Sequence, residues 1–343
     1  YTHLQFLHEL KDILDVRNPV KKIDARDGEI SLEEIAGNYI FTEDNFVKMI
    51  LILLKIRANI PVIMMGETGC GKTLLIKKLS EMLNNGKCKI KIKNIHPGIS
   101  DKDIINFINN EVINEAKSLE KEENKKKYEY ENNIENYIPR KLWVFFDNFN
   151  TCNSMGLIKE LICQKSYQGK KLPNNIVFIA ACNPFRFREI VDPDANQNYK
   201  EIKNLNQKSI KKMTNNSLVY KVNPLPDSLL NFVFDFGNLT PQDEMKYIKN
   251  IISESIERVF KSSKDKNINK KDNKKIEENF KNIHNLAKKM ISKAQEFIRN
   301  RNGISSVSLR EIRRFSILFE FFYGYLKNKK EINLNIIEKN KIF

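Results

Sequence analysis

The chain carries Gly66-Glu67-Thr68-Gly69-Cys70-Gly71-Lys72-Thr73 between the apolar run 60–65 and the amphipathic stretch 74–83. This segment matches G-x-x-x-x-G-K-[ST], the pattern of a phosphate-binding loop, in the strand-loop-helix context that the pattern requires. Its glycines allow backbone N–H groups to turn towards phosphate oxygens, beside the positive end of the following helix. The alternative is a tight glycine turn without a ligand. The context favours an α/β fold with a nucleotide site at the end of its first strand.

Every residue of this loop, from Gly66 to Thr73, is a candidate for binding the phosphates of ATP. The Lys72 ammonium would neutralise the β- and γ-phosphates, and the Thr73 hydroxyl would bind Mg²⁺. Cys70 occupies a variable position and is expected to contribute its backbone. Because a thiol close to a helix N-terminus can have a lowered pKa, a further hypothesis is that alkylation of Cys70 blocks nucleotide binding.

Two more apolar runs end in polar side chains that suit the same site. Leu142–Asp147 ends in a carboxylate that would complete the magnesium site, with a strand-ending cap as the alternative. Ile176–Cys182 is followed by Asn183, which would contact the γ-phosphate or the attacking water. Taken alone, Asn183 is better explained as part of an Asn-Pro turn. Ligands of open α/β sheets bind at the carboxyl ends of the strands, where Asp147 and Asn183 are expected to lie.

The order of apolar and helical stretches predicts a five-stranded parallel sheet flanked by helices and followed by a helical lid. The strands are expected at 60–65, 88–95, 142–147, 175–182 and 217–222. The expected domains are a lead segment, 1–43, a nucleotide-binding subdomain, 44–240, and the lid, 241–343. Charged insertions are expected near 117–137, 192–216 and 262–279. A helix should begin after Thr42, with an apolar face formed by Phe46, Val47, Ile50, Leu51 and Leu54.

The composition argues against several other classes of protein. Of the 343 residues, 41% are hydrophobic and 30% charged, which is compatible with a folded core. No apolar run approaches the roughly 18 residues of a membrane span. The first residues show no secretory signal, and the chain is expected to be a piece of a longer one. Five cysteines without a CxxC pair, and four histidines, predict neither a zinc site nor disulfides, so a reducing compartment, the cytoplasm, is expected.

The net charge of +16 raises the question of a nucleic-acid partner. Much of the excess lies in tracts such as 261–293, where eleven lysines stand against four acidic residues. Because these tracts have no regular spacing, a compositional bias towards Lys, Asn and Ile explains them better than nucleic-acid binding. A nucleic-acid-dependent ATPase is therefore the least favoured function.

Beyond the phosphate-binding loop, the sequence resembles the AAA+ superfamily and, within it, the mysterin family of giant RING-type ubiquitin ligases. The stretches 60–73, 145–157, 175–184, 218–226 and 234–237 carry the resemblance, which covers roughly residues 40–325. The most specific are Asn150-Thr151-Cys152-Asn153-Ser154 and Pro224-Leu225-Pro226. The resemblance implies a P-loop AAA+ module that binds ATP and Mg²⁺ beside neighbouring AAA modules in one chain or ring. Ubiquitin transfer would be carried by other regions.

The resemblance also implies roles for particular residues. Asn183 takes the position of sensor 1. Arg310, in the first turn of a helix that begins with the capping-box pair Ser308 and Glu311, takes that of sensor 2, which couples the lid to the γ-phosphate. Arg186 and Arg188, just after sensor 1, are candidates to face a neighbouring module, but the sequence does not identify an arginine finger.

Asn148 departs from the pattern of the superfamily. In the superfamily, the strand-ending aspartate, here Asp147, is the Walker B residue, and it is normally followed by Glu, which orients and polarises the attacking water. An amide cannot act as a general base. The preferred function is therefore ATP binding with hydrolysis slowed by orders of magnitude. The alternative is an active ATPase motor unit of a dynein- or midasin-like ring. A second departure is His96-Pro97-Gly98, which stands in place of His-Gly-Gly.

Overall fold

The computed structural model describes residues 32–37, 39–84, 88–129, 140–186, 218–237, 239–263, 270–302 and 306–328. The chain divides into two compact units. The first takes in the chain up to Glu67 together with Gly71–Gly237, and the second takes in Thr68–Cys70 and the chain from Asn238 onward. The predicted insertion near 192–216 and most of the lead segment 1–43 lie outside the described residues.

A five-stranded parallel sheet forms the centre of the first unit. The strands of the chain are β1 (Val62–Gly66), β2 (Ile90–Asn94), β3 (Leu142–Asp147), β4 (Ser166–Tyr167), β5 (Lys170–Lys171), β6 (Ile176–Cys182) and β7 (Val233–Gly237). The large sheet has the order β2-β3-β6-β1-β7, and β4 and β5 form a separate antiparallel pair. Every pairing in the large sheet is parallel, so the carboxyl ends of its strands lie at one edge. The fold class expected from the sequence is confirmed.

The fifth strand is not the one that the sequence suggested. We expected it at 217–222, but within the described part of that segment only Leu218 has a β-bridge, and β7 completes the sheet beside β1. The backbone of 218–222 makes isolated bonds instead, such as Val219 N to Arg186 O at 2.9 Å. In β7, alternate residues point to opposite faces, and this places Phe236 in the core with 1% of its surface exposed.

Helices flank the sheet. They are α1 (Leu32–Ala36), α2 (Glu43–Arg57), α3 (Lys72–Leu83), α4 (Asp101–Phe107), α5 (Asn114–Glu129), α6 (Met155–Lys159) and α7 (Asp227–Leu230). Two π-helical segments, Ile108–Ile113 and Glu160–Gln164, and a 3₁₀ turn, Phe149–Thr151, complete the first unit. The region expected as an insertion near 117–137 is helical as far as Glu129, and residues 130–139 lie outside the described ranges.

Helix α2 begins where the sequence indicated but buries a different face. The Thr42 hydroxyl accepts a hydrogen bond from Asn45 N at 3.2 Å and caps the helix. The apolar face expected from the sequence is not the face that packs against the protein. Its members Val47, Leu51 and Leu54 are exposed, and the buried residues are instead Met49, Ile52, Leu53 and Ile56. The helix is apolar on most of its circumference, so hydrophobic periodicity alone could not select the buried side.

The second unit is helical after its loop residues. Its helices are α8 (Pro241–Ser263), α9 (Lys270–Asn302) and α10 (Leu309–Asn328), and its core contains Ile248, Ile252, Ile256, Val259 and Ile312. The charged insertion expected near 262–279 is helical wherever it is described, because α8 continues to Ser263 and α9 begins at Lys270. Among the described residues, none of the helices combines the length and the hydropathy of a membrane span.

Candidate nucleotide-binding site

The phosphate-binding loop connects the carboxyl end of β1 to the amino end of α3. Gly69 and Gly71 have positive φ angles of 79° and 97°, a backbone conformation that is strained for other residues. Gly71 is the N-cap of α3 and makes no side-chain cap. The helix dipole makes this end of α3 favourable for an anion.

Lys72 is held over the loop by backbone carbonyl groups. Its Nζ donates to Gly66 O at 2.7 Å and to Glu67 O at 2.9 Å, and the residue is only 7% exposed. Two carbonyl oxygens satisfy part of the hydrogen-bonding capacity of a buried ammonium, which otherwise costs several kcal/mol to desolvate. The loop thus carries a fixed positive charge at the place where the sequence predicted a phosphate contact.

Thr73 and Asp147 meet at the edge of the sheet. Thr73 Oγ1 donates to Asp147 Oδ2 at 2.8 Å, although the two residues are 74 positions apart in the chain. A hydroxyl and a carboxylate are oxygen donors of the kind that Mg²⁺ prefers, and the other ligands of such an ion would come from nucleotide and water. The described residues contain no group of three or more His, Cys, Asp or Glu that could hold a metal by themselves. Thr73 and Asp147 thus offer two oxygen atoms that fit a Mg²⁺ ion bound together with a nucleotide.

Asn148 has an unusual backbone conformation. Its φ and ψ are 58° and 37°, in the left-handed region, and it is the N-cap of the 3₁₀ turn Phe149–Thr151. The Asn148 carbonyl accepts from both Thr151 N, at 3.1 Å, and Thr151 Oγ1, at 2.9 Å. Among residues other than glycine, Asn is one of the few that tolerate this region easily. The amide that replaces the expected Glu thus also fits the turn that follows β3.

Asn183 lies directly after β6, and a residue that the sequence analysis did not single out holds it there. Asn150, 1% exposed, donates from Nδ2 to Asn183 O at 2.9 Å. Asn150 Oδ1 accepts from Asn183 N at 3.4 Å. The available signal was the position of Asn150 in the most family-specific stretch of the sequence, but only the fold shows which residue it contacts.

The Glu67 side chain belongs to a network behind the loop. Its Oε1 lies 2.9 Å from Arg186 Nη2, and its Oε2 accepts from the Tyr220 hydroxyl. Glu67 is 9% exposed, so the carboxylate is buried with an opposite charge beside it. Arg186, considered from the sequence as a residue that faces a neighbouring module, is therefore engaged within its own unit, while Arg188 lies outside the described residues.

Arg310 is exposed in the first turn of α10, in the second unit. The helix start follows the predicted capping box in part: Ser308 N donates to Glu311 Oε2 at 2.8 Å, and Ser308 Oγ accepts from Arg310 N at 3.3 Å. The assignment of Arg310 to sensor 2 stays a prediction.

All five cysteines are free, and they differ in burial. Cys88 is exposed and Cys163 is partly exposed, whereas Cys70, Cys152 and Cys182 are buried. Burial raises the pKa of the Cys182 thiol to about 12, and it also raises that of Cys152. Because Cys70 is only 7% exposed, its alkylation requires the loop to open first.

In the native chain, iodoacetamide is expected to modify Cys88 at least about tenfold faster than Cys182, because the thiolate is the reacting species and it must be accessible. Raising the pH from 7 to 9 should speed the reaction at Cys88, whose own pKa is raised mainly by partial burial, and should leave Cys182 protonated. Peptide mapping measures both rates, with the denatured chain as the control in which the difference disappears. Equal rates in the native chain would contradict the burial of Cys182.

Comparisons with known proteins show which family the chain resembles. Residues 39–186 match a family model described as the RNF213 AAA domain. The E3 ubiquitin-protein ligase rnf213-beta of Danio rerio is 30% identical over 296 residues, which are 84% of this chain and 5% of that protein. RNF213 of Mus musculus and of Homo sapiens, also named as E3 ubiquitin-protein ligases, show the same identity and coverage. The chain thus spans about a twentieth of the length of these relatives.

A solved structure of C. elegans PCH-2 aligns with this chain at 12% sequence identity and a TM-score of 0.34. The alignment covers 88% of this chain and 72% of the PCH-2 chain. The family match covers β1, the phosphate-binding loop and β3, and the three relatives are each similar to 84% of the chain. The chain therefore contains an AAA module of the RNF213, or mysterin, family.

Proposed function

We propose that this AAA module binds ATP together with Mg²⁺ through the loop Gly66 to Thr73 and through Asp147, and that it hydrolyses the bound ATP slowly. The observation that carries the proposal is the 2.8 Å hydrogen bond between Thr73 Oγ1 and Asp147 Oδ2. It brings the two protein oxygens that a nucleotide-bound Mg²⁺ would need to the end of the loop that presents Lys72. Mg²⁺, when bound there, would neutralise charge on the phosphate oxygens.

The residues of the loop have separate tasks in this proposal. The backbone N–H groups around Gly69 and Gly71 bind phosphate oxygens, and Lys72 supplies the positive charge that its two carbonyl partners orient. Glu67 contributes its backbone and supports the loop through Arg186. Thr68 and Cys70 contribute their backbone groups.

Slow hydrolysis follows from the chemistry of Asn148. Its amide can donate to or accept from a water molecule and so fix its position, but it cannot take a proton from it. Asn183, at the end of the strand next to β3, is placed in the proposal against the γ-phosphate or that water. The module would then hold ATP for long periods, and ATP at 100 times its Kd would add about 2.7 kcal/mol to the stability of the folded chain.

We further propose that this module works inside a cytoplasmic RNF213-like ubiquitin ligase, beside neighbouring AAA modules. The support is the similarity to E3 ubiquitin-protein ligases that are about twenty times as long as the matched region. Ubiquitin transfer would then be carried by parts of such a protein outside this chain.

The direct test is calorimetric titration of the folded chain with ATP in the presence of Mg²⁺, accompanied by displacement of a fluorescent adenine nucleotide. Saturable heat with one site per chain is expected. Absence of heat and of displacement, with thermal unfolding showing that the material is folded, would refute the proposal.

Replacing Asp147 with asparagine is expected to weaken ATP binding in the presence of Mg²⁺ by about tenfold, because the charge that attracts the cation is lost while the shape of the side chain is kept. In EDTA the affinities of wild type and variant should agree within about twofold. Fluorescence titration in both buffers measures the difference. Asp101→Asn, an exposed carboxylate at the start of α4, is the matched control and should not change either value. Equal losses with and without Mg²⁺ would exclude a role for Asp147 at the metal.

A further inference from the structure

Asn150 makes an unusual connection between two strand ends. It lies in the 3₁₀ turn after β3, and its side chain is buried. Nδ2 donates to Asn183 O at 2.9 Å, while Oδ1 accepts from Asn183 N at 3.4 Å. A single amide side chain therefore pairs with both backbone groups of the residue assigned to sensor 1.

The hydrogen bonds between Asn150 and Asn183 extend the contact between β3 and β6 beyond the last residues that the two strands pair. The register of β3 and β6 ends at Phe146 with Ala180, three residues before Asn183. The side-chain amide of Asn presents a donor and an acceptor side by side, as a peptide group does, and so replaces the missing strand neighbour. A buried amide without hydrogen-bond partners destabilises the fold by about 1–3 kcal/mol, so the folded chain is expected to keep the two bonds between Asn150 and Asn183.

Further bonds hold the turn that carries Asn150. Asn223 N donates to Asn150 O at 2.7 Å, and Asn223 Nδ2 donates to Cys152 O at 2.7 Å. Thr151 Oγ1, next in the chain, donates to Asn148 O at 2.9 Å. The backbone that carries the Asn150 side chain is therefore held by hydrogen bonds at Asn150 itself and at the residues before and after it. This restricts the movement of the side chain that contacts Asn183.

We propose that Asn150 is a positioning residue: it holds the backbone of Asn183 so that the Asn183 side chain distinguishes ATP from ADP. Of the three hydrogen bonds of the Asn150 side chain, two go to the backbone of Asn183 and the third goes from Nδ2 to Asn223 O at 3.5 Å. The first two fix the place of Asn183 without engaging its side-chain amide. The inference rests on the proposed function, because Asn183 needs a γ-phosphate to contact.

The test uses Asn150→Asp, which keeps the shape of the side chain but places an oxygen against Asn183 O. The Kd values for ATP and ADP, both with Mg²⁺, are measured by fluorescence titration. The preference for ATP over ADP is expected to fall about tenfold, while the Kd for ADP changes less than twofold. In an Asn183→Ala background, Asn150→Asp should cause no further loss, because the two residues act as one unit.

Asn175→Asp is the matched control. Asn175 precedes the opposite end of β6, and its Nδ2 donates to Ala116 O at 2.7 Å. The same chemical change there should lower stability without altering the preference for ATP. A preference that is unchanged in Asn150→Asp, or additive losses in the double variant, would overturn the inference.

Hydrogen exchange separates a failure of this inference from a failure of the proposed function. In the nucleotide-free chain, Asn150→Ala should speed exchange at the Asn183 amide at least about tenfold, because its acceptor is lost. A wild type that binds neither nucleotide refutes the proposed function, and the exchange rate still decides whether Asn150 positions Asn183. Unchanged exchange in Asn150→Ala overturns the positioning role.

Discussion

Replacing Lys72 with alanine is expected to lower the affinity for ATP with Mg²⁺ by at least about 100-fold. The ammonium is the charge held directly over the loop by Gly66 O and Glu67 O, and only 7% of the residue is exposed to solvent. Charge-assisted hydrogen bonds contribute about 1.5–3 kcal/mol each, so the loss of contacts to two phosphates amounts to about 3 kcal/mol or more. Calorimetric titration of wild type and variant measures the loss.

Lys77→Ala is the control for this prediction, since Lys77 lies in the same helix, is partly exposed and is not part of the loop motif. It should bind ATP with unchanged affinity. The Lys72 variant leaves two carbonyl groups without their donor, so its unfolding temperature must be recorded to separate loss of binding from loss of structure. A folded Lys72→Ala chain that binds as tightly as wild type would mean that the nucleotide does not sit on this loop.

Asn148→Glu is expected to raise the rate of single-turnover ATP hydrolysis by about 100-fold or more, because a positioned general base contributes roughly 10²–10⁴ to such a reaction. The variant should also be less stable by about 1 kcal/mol, since Asn148 has a left-handed φ of 58° that Glu adopts less readily than Asn. Rapid quenching of pre-formed complexes with labelled ATP gives the rate, and denaturant unfolding gives the stability.

The matched control is Asn148→Gln, which has the length of Glu and a similar backbone cost but carries no carboxylate. It should be destabilised to a similar extent without any gain in hydrolysis. A wild-type rate in the ordinary enzymatic range of about 1–10³ per second would overturn the proposal of slow hydrolysis and favour an active motor unit. Equal rates in the Glu and Gln variants would show that a carboxylate at 148 is not what the site lacks.

Local patterns found the parts of the site that lie within one segment. The loop from Gly66 to Thr73 and the strand ends at Asp147 and Cys182 were predictable because glycine spacing and continuous apolar runs can be recognised in a short window. The same window gave the wrong buried face for α2, where apolar residues lie on most sides. It also gave the wrong fifth strand, because β-type composition at 217–222 does not tell whether a neighbouring strand edge is available.

Sequence alone was sufficient for the phosphate-binding loop motif, for four of the five strands of the parallel sheet and for the resemblance to the family, because these depend on residue types that can be recognised within short stretches of the chain. The tertiary fold decided that β7 lies beside β1 and that Asn150 contacts Asn183, and it joined the two expected magnesium ligands, Thr73 and Asp147, by a direct hydrogen bond. Asn150 and Asn183 are 33 positions apart in the chain, and Thr73 and Asp147 are 74 positions apart. Such pairings depend on how the strands order themselves around a shared core, and a local pattern carries no information about that order.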